Sequence, residues 1–234
     1  MIAGTRIGVL GGTLDPIHLG HLDAATAAGT ALALDEITVI PSRIPPHRTP
    51  PVASAYHRFA MAALAVNGIA GMTVSDEELC APGPSYTADT LDRLHARGLA
   101  PAQIFFITGA DAFAEIETWS RYPRVLDLAR FVVISRRGVR ATTLAQRLTA
   151  LADRMGTPAQ AKDGSRAPSI ILVDTVTRDV SSTDVRRRLS RGEPIAGLVP
   201  PSVETHIRHH GLYAAAPPAA STTRSTADHL HGQD

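Results

Sequence analysis

Apolar residues recur along the chain in two periods. Six short runs rich in β-branched and apolar residues read as strands: Ile7–Leu10, Glu36–Ile40, Met72–Ser75, Ile104–Thr108, Phe131–Ser135 and Ser169–Val173. The fourth and fifth are apolar almost throughout, the pattern of central strands buried on both faces. Between them lie segments of helical composition or spacing. These are the Ala-rich Leu19–Leu34, Ser54–Val66 with Ser54 as N-cap, and Ala88–Arg97 with Thr87 as cap and Gly98 as stop. An amphipathic run at 142–155 and a helix from Ser181 to about Arg191 complete the set. Strands alternating with crossover helices predict an α/β fold, a doubly wound parallel sheet in a single domain. In such sheets ligands sit beyond the carboxyl ends of the strands, at the switch point.

The linkers sharpen this reading. Residues 41–51 hold five prolines, which forbid both helix and ladder pairing, so a stiff loop leaves the end of the second strand. Gly156–Pro168 reads as a polar loop. From Ala214 the sequence turns to Ala, Pro, Ser, Thr and His without periodicity. The expected organisation is one domain over 1–213 and a disordered tail over 214–234. A chain of 234 residues is long enough for a full α/β core.

Composition excludes several classes of partner. The net charge of +1 gives no electrostatic case for nucleic acid, and Arg187 and Arg188 in the densest basic run read as a solvated helix face. No apolar run reaches membrane-span length, and no secretory leader pattern is visible at the N-terminus. The single cysteine, Cys80, rules out an internal disulfide framework and suits a reducing cytoplasm.

Candidate chemistry concentrates in Ile7–His21. The first strand runs into Gly11 and Gly12, a pair able to adopt positive φ and to admit a ligand closely. The Leu19 helix follows at once. Strand, glycine turn and helix N-terminus together aim backbone N–H groups and the positive end of a dipole at one point, which makes an anion site. His18 and His21, three residues apart, share a helix face beside it and suit a polyphosphate. Zinc at this pair lacks further ligands: the chain has one Cys and no HExxH pattern, so no resident metal is expected. Neither a P-loop nor the dinucleotide-binding fingerprint is present. A second helix N-terminus, Ser181-Ser182-Thr183-Asp184, reads as a capping box and adds hydroxyls and N–H groups, with Arg186 one turn in.

Gly11–His21, GGTLDPIHLGH, resembles the GGxFDPxHxGH signature of the HxGH nucleotidyltransferases, with Leu14 in place of the usual Phe. Val180–Arg186 resembles the ISSTxIR motif of the same enzymes, and Pro45-Pro46-His47-Arg48 resembles their PPHK loop, with Arg48 for Lys. Within the superfamily the chain is most similar to the bacterial nicotinate-nucleotide adenylyltransferases. Ser85-Tyr86-Thr87 resembles their SYT segment, Trp119 follows Gly109-Ala-Asp111 at their spacing, and Arg136 and Gly138 match their R-x-G. The resemblance covers residues 6–213.

The resemblance implies transfer of AMP from ATP to nicotinate mononucleotide, with pyrophosphate leaving in NAD biosynthesis and no covalent intermediate. It implies His18, His21 and Arg186 as catalytic residues. Gly11, Gly12, Thr13, Arg48, Ser181, Ser182 and Thr183 would hold ATP and its phosphates. His47, Tyr86, Thr87, Asp111, Trp119 and Arg136 would hold the mononucleotide, Trp119 by stacking on the pyridine. Mg²⁺ would arrive on the triphosphate. Rival expectations are an adenylyltransferase acting on nicotinamide mononucleotide or phosphopantetheine, and a non-catalytic nucleotide sensor. Loss of His18, His21 or Arg186 would mark a sensor, and all three are present. A tRNA synthetase would need a tRNA-binding domain, for which the chain has no room. Homo-oligomerisation is left open.

Overall fold

β-Branched and aromatic runs pair into one parallel sheet. The computed structural model of the chain describes residues 4–46, 49–136, 138–163 and 167–215. Its strands are β1 (Ile7–Gly12), β2 (Glu36–Pro41), β3 (Met72–Val74), β4 (Ile104–Gly109), β5 (Arg130–Ile134), β6 (Met155–Gly156) and β7 (Ile170–Val173), in the order β3-β2-β1-β4-β5-β7-β6. All pairings are parallel. The order reverses between β1 and β4, which sets the switch point there.

Alternation along the strands divides the core into two layers. Leu10, Phe105, Ile107, Val132 and Ile134 face one side of the sheet. There they pack with α1 (Leu19–Leu32), α2 (Ala55–Val66), α7 (Pro158–Asp163), α8 (Ser182–Ser190) and α9 (Pro201–His209). Val9, Phe106, Phe131 and Val133 face the other side, under α4 (Thr87–Ala96), α5 (Ala110–Phe113) and α6 (Leu144–Arg147). A short α3 (Glu77–Cys80) lies between β3 and α4. The expected doubly wound architecture is therefore present. Ser54 caps α2 by accepting from the His57 amide at 3.3 Å, while Tyr86 rather than Thr87 takes the N-cap position of α4.

Residues 142–155 are not one helix. Leu144, Leu148 and Leu151 have helical spacing and reach the core, but the backbone breaks at Leu148 (φ −110°, ψ 62°) into α6 and a 3₁₀ segment. Met155 and Gly156 then pair with Ile170 and Ile171 as an edge strand. A Cβ at Gly156 would lie 2.8 Å from Pro168 and from the Gln160 side chain, so only glycine lets the chain pass. The expected loop at 156–168 contains α7, opened by Thr157, Pro158 and Gln160. Thr157 N donates to Gln160 Oε1 at 2.7 Å and Gln160 N donates to Thr157 Oγ1 at 3.4 Å, a capping box with proline at the first helical position. Residues 216–234, the bulk of the expected tail, lie outside the described residues.

Among the described residues the most deeply buried charged side chain is Arg58 on α2, 1% exposed. Its guanidinium donates to three backbone carbonyls: Thr13 at 2.6 Å, Ala53 at 3.2 Å and Arg43 at 3.1 Å. The β1–α1 loop and both ends of the β2–α2 loop, at the carboxyl end of the sheet, thus hang on one group. Removing it strands three buried acceptors at a cost of about 3 kcal/mol or more. Arg58→Leu should accordingly lower the unfolding free energy obtained from urea titration by at least that amount. A change under about 1 kcal/mol would mean that the loops hold themselves.

Candidate active site

The first motif folds differently in detail from the expected glycine turn. Gly11 and Gly12 do not adopt positive φ; they complete β1, paired with Ile40 and Pro41. The left-handed position falls on Leu14 (φ 51°), whose side chain is buried in the core. The missing side chain matters at Gly11 for another reason: a Cβ there would press on the Phe106 ring at 3.2 Å. Asp15 and Pro16, joined by a cis peptide, carry the chain to His18, the N-cap of α1.

His18 and His21 do come together, with stacked rings 3.7 Å apart at their centroids. His18 N–H donates to His21 Nδ1 at 3.2 Å. Nδ1 of His21 is thus the acceptor, which leaves the ring proton of a neutral imidazole on Nε2. Nε2 of His18 lies 3.2 Å from Nη2 of Arg136. Arginine only donates, so the His18 ring proton sits on Nδ1. His18 is fully enclosed, with Arg136 against it. One first-turn amide of α1 is already engaged, Leu19 N donating to Leu198 O at 2.9 Å.

The second motif docks directly on this turn. Ser181 accepts from Asp184 N at 3.0 Å and caps α8, as its sequence predicts. Ser182 Oγ donates to Pro16 O at 2.9 Å, and Arg186 Nη1 donates to Asp15 O at 2.6 Å. The amides of Ser182 and Thr183 are first-turn donors with no acceptor inside the helix. Ahead of α8, Arg178 grips Asp23 of α1 through Nε (3.0 Å), Nη2 (2.8 Å) and its own backbone N–H (2.9 Å). Burial raises the Asp23 pKa, but these hydrogen bonds and the Arg178 charge outweigh it and hold the carboxyl below its ordinary range. The approach needs Gly20, where a Cβ would sit 3.0 Å from the Arg178 carbonyl. Two helix N-termini therefore meet at the carboxyl end of β1.

The remaining residues flank this junction. Ser85 Oγ accepts from Arg43 N at 2.8 Å and Ser85 N donates to Ile44 O at 2.8 Å, which ties Tyr86, Thr87 and the α4 N-terminus to the loop after β2. Trp119 is half-buried and stands edge-on to Phe106 (6.0 Å) and Phe131 (6.3 Å). Asp111, also half-buried, has one enclosed carboxylate oxygen, Oδ1, without a hydrogen-bond partner among the described residues. A Cβ on Gly109 would meet both Asp111 Oδ1 and Arg136 Cδ, so these two side chains share the space above Gly109. Beyond them a cleft of about 430 Å³ opens along Ser135, Arg136, Val139 and residues 174–177. A second, of about 400 Å³, is lined by Ser181, Thr183 and Arg187 at the head of α8. His47 and Arg48 lie outside the described residues.

Residues 9–188 match the family model described as cytidylyltransferase-like, which spans both motifs. Full-length similarity narrows this. The chain is 39% identical over 217 residues to a probable nicotinate-nucleotide adenylyltransferase of Desulfatibacillum aliphaticivorans, covering 89% of this chain and 99% of that one. It is 41% identical over 219 residues to the protein of the same name from Roseiflexus sp. (strain RS-1), covering 91% and 100%. The chain belongs to the nicotinate-nucleotide adenylyltransferase branch of the cytidylyltransferase-like family. The fold agrees with a solved family structure, Plasmodium falciparum nicotinic acid mononucleotide adenylyltransferase complexed with NaAD. Against that structure the TM-score is 0.69 at 17% identity, over 89% of this chain and 97% of that chain.

Four buried polar residues of this family member escaped the sequence reading of the site. Asp15, 4% exposed, accepts from Val52 N (2.8 Å), Ala53 N (3.1 Å) and the Tyr213 hydroxyl (2.7 Å). Burial and the Asp15 charge push the Tyr213 phenol far above its ordinary pKa, so it stays a donor. Arg58 supports the same turn from below. Glu78 is buried beneath Ser85 and accepts from Thr90 Oγ1 at 2.6 Å. Asp15 lay within the recognised motif; the other three carry no motif, and only the tertiary structure brings them to the site.

Burial raises the Glu78 pKa, and hydrogen bonds from Thr90 and Ser85 only partly offset it. The folded state then binds the proton more tightly than the unfolded state. Stability attributable to Glu78 is present below the unfolded value and lost as pH rises through the folded one. Glu78→Gln keeps the acceptor for Thr90 without the charge. The variant should match the parent protein in melting temperature near pH 4 and exceed it near pH 8. An equal or lower melting temperature at pH 8 would show that the carboxylate is well satisfied where it lies.

Proposed function

We propose that this chain transfers AMP from ATP to nicotinate mononucleotide, giving nicotinate adenine dinucleotide and pyrophosphate. The observation that carries the reading is the junction of the α1 and α8 N-termini at the end of β1, with two imidazoles inside it. The names of the full-length relatives point to the same reaction. So does the NaAD bound to the Plasmodium falciparum protein of the same fold.

An oxygen of the nicotinate mononucleotide phosphate attacks the α-phosphorus of ATP in line. The bond to the bridging oxygen breaks and pyrophosphate leaves with that oxygen. No covalent enzyme group takes part, so positioning and stabilisation of charge do the catalysis. The Ser182 and Thr183 amides, the Ser181 and Thr183 hydroxyls and Arg186 are the donors for the triphosphate. Thr13 and the uncluttered backbone of Gly11 and Gly12 line its approach, with Arg48 contributed from the loop after β2. His21 donates from Nε2. His18 is enclosed, so phosphate reaches it only as the Arg136 side chain gives way and the ring carries a proton on Nε2 in place of accepting there; both then face the developing charge.

The wing across the junction receives the mononucleotide. The first-turn Thr87 amide receives its carboxylate beside Tyr86, whose own amide donates to Pro84 O at 3.1 Å, and Trp119 offers a ring face to the pyridine. Asp111 Oδ1 accepts from ribose hydroxyls, and Arg136 closes the pocket; the assignment of His47 to the mononucleotide rests on its motif alone. Two nearby carboxylates are committed, Asp15 to the loop amides and Tyr213, and Asp184 to Arg187 and Arg188. Mg²⁺ arrives on the triphosphate and keeps most of its waters. No helix among the described residues is long and apolar enough to cross a membrane, and the lone Cys80 supports a cytoplasmic setting.

Pyrophosphate release should be measured with ATP and, in turn, nicotinate mononucleotide, nicotinamide mononucleotide and phosphopantetheine. A carboxamide carries two donors that an amide-lined pocket leaves unpaired, at about 1–3 kcal/mol, and it lacks the charge. The expected kcat/KM ratio is at least roughly 100-fold in favour of nicotinate mononucleotide. Equal values would overturn the pocket, and no turnover with any of the three would favour a sensor. Trp119→Ala should weaken both pyridine substrates alike, because stacking reads the ring.

His18→Ala and His21→Ala should each lower kcat by roughly 100-fold or more, as loss of a transition-state donor does. His18 is enclosed, so its variant should also lose melting temperature. His21 is half-buried and gives the cleaner comparison. A folded His21→Ala protein with parental turnover would remove the imidazole pair from the mechanism.

A further inference from the structure

Far from the nucleotide motifs, three imidazoles converge where α2 meets α9. His57 stands in the first turn of α2. His206 lies on α9 and His210 is its C-cap, four residues on; His210 N donates to His206 O at 3.1 Å, so the two share a face. His57 Nδ1 and His206 Nε2 lie 3.1 Å apart. The ring centroids of His206 and His210 are 4.4 Å apart, and those of His57 and His210 are 4.8 Å apart. One nitrogen from each of the three falls within 4.8 Å of the others. His57 and His206 are half-buried and His210 is exposed, so the cluster is held by the helices yet open to solvent.

Such a cluster has little reason to persist as packing. Three titratable rings at a helix–helix contact repel one another whenever they are protonated. Desolvation first, and the neighbouring imidazoles second, lower the pKa of both His206 and His210. His206 and His210 are therefore biased toward the neutral form, which is the form that ligates metal. An i, i+4 histidine pair on one helix with a third histidine from a neighbour is a chelating arrangement. At Zn–N distances of about 2.0–2.1 Å, tetrahedral ligand nitrogens stand about 3.4 Å apart. The 3.1 Å pair is near that separation already, and small side-chain rotations bring in the third ring.

We propose that His57, His206 and His210 form a binding site for a late first-row divalent cation, zinc in the first instance, with water completing the tetrahedron. Nitrogen donors select such ions over Mg²⁺, which prefers oxygen. Binding replaces the hydrogen bond between His57 Nδ1 and His206 Nε2: the ring that donates there moves its proton to its other nitrogen, and both bind as neutral imidazoles. The ion ties α9 to α2. α9 leads within a few residues to Tyr213, whose hydroxyl holds Asp15 in the first motif, so the clamp stiffens the support of the active site from outside it.

The test uses the full-length protein, Zn²⁺ and Mg²⁺ as sulfates, calorimetric titration and thermal unfolding. The expected result is saturable binding of one zinc and a rise in melting temperature of roughly 5 °C at zinc about 100-fold above Kd, with no rise for Mg²⁺. His206→Gln and His57→Gln should each weaken zinc affinity by at least about tenfold, because each removes one of three ligands. The neighbouring His209→Gln should leave it unchanged. Absence of saturable zinc binding in the parent protein overturns the proposal. So does undiminished affinity in both folded variants, which would place the ion on other histidines of the chain.

Discussion

The carboxylate of Asp15 is the constraint on which the site depends. It is buried, and it is satisfied by three donors from two places distant in sequence: the amides of Val52 and Ala53 before α2, and the hydroxyl of Tyr213 after α9. Arg58 supplies the compensating charge nearby and fastens the carbonyls of Thr13, Ala53 and Arg43. Arg186 reaches the Asp15 carbonyl from α8. A buried charge of this kind is costly to break from either side, because whichever group remains is left unpaired. The turn that carries His18 is therefore fixed relative to α2, α8 and α9 together.

That fixity matches the chemistry. Transfer of a nucleotidyl group by direct displacement asks the protein for no nucleophile, only for donors held where charge develops. Donors on flexible loops would have to reorganise at the moment of reaction. Here the loops after β1 and β2, the N-terminus of α4 and the approach to α8 are cross-linked by side chain to backbone bonds. Ser85, Arg58, Ser182 and Arg186 each hold a neighbouring segment by its main chain. The proposed mononucleotide pocket and the junction of the two helix N-termini are thereby referred to a common frame.

The fold was legible in the sequence because its signals are local. Six strands announced themselves as short apolar runs, and their alternation with helices required a parallel sheet. The stretch at 142–155 misled because Leu144, Leu148 and Leu151 repeat at helical spacing whether the segment is one helix or a chain of 3₁₀ turns. α7 was announced by Thr157, Pro158 and Gln160 but hidden in a polar context. In the site, His18, His21, Ser181 and Arg186 were legible because they lie in ordered motifs. Arg58, Glu78 and Tyr213 were not, since nothing in an isolated arginine, glutamate or tyrosine shows that three remote segments will fold around it. The glycines at 11 and 12 were found for the wrong reason: the chain needs Gly11 for the Phe106 ring beside β1, while Leu14 takes the strained turn.

This exchange of roles has a physical logic. Leu14 in the left-handed region costs of order 1 kcal/mol, and its side chain recovers more than that by burial in the core under α1 and α2. A glycine at position 14 would relax the backbone but leave a void at the base of the turn. The strain is thus held by packing, at a point two residues from Gly12 and one from Asp15. The same residue that anchors the hydrophobic layer turns the chain out of the sheet, and the Asp15 carboxylate then fixes its direction. Core and site meet there in consecutive residues, so changes of core volume at Leu14 reach the His18 turn directly.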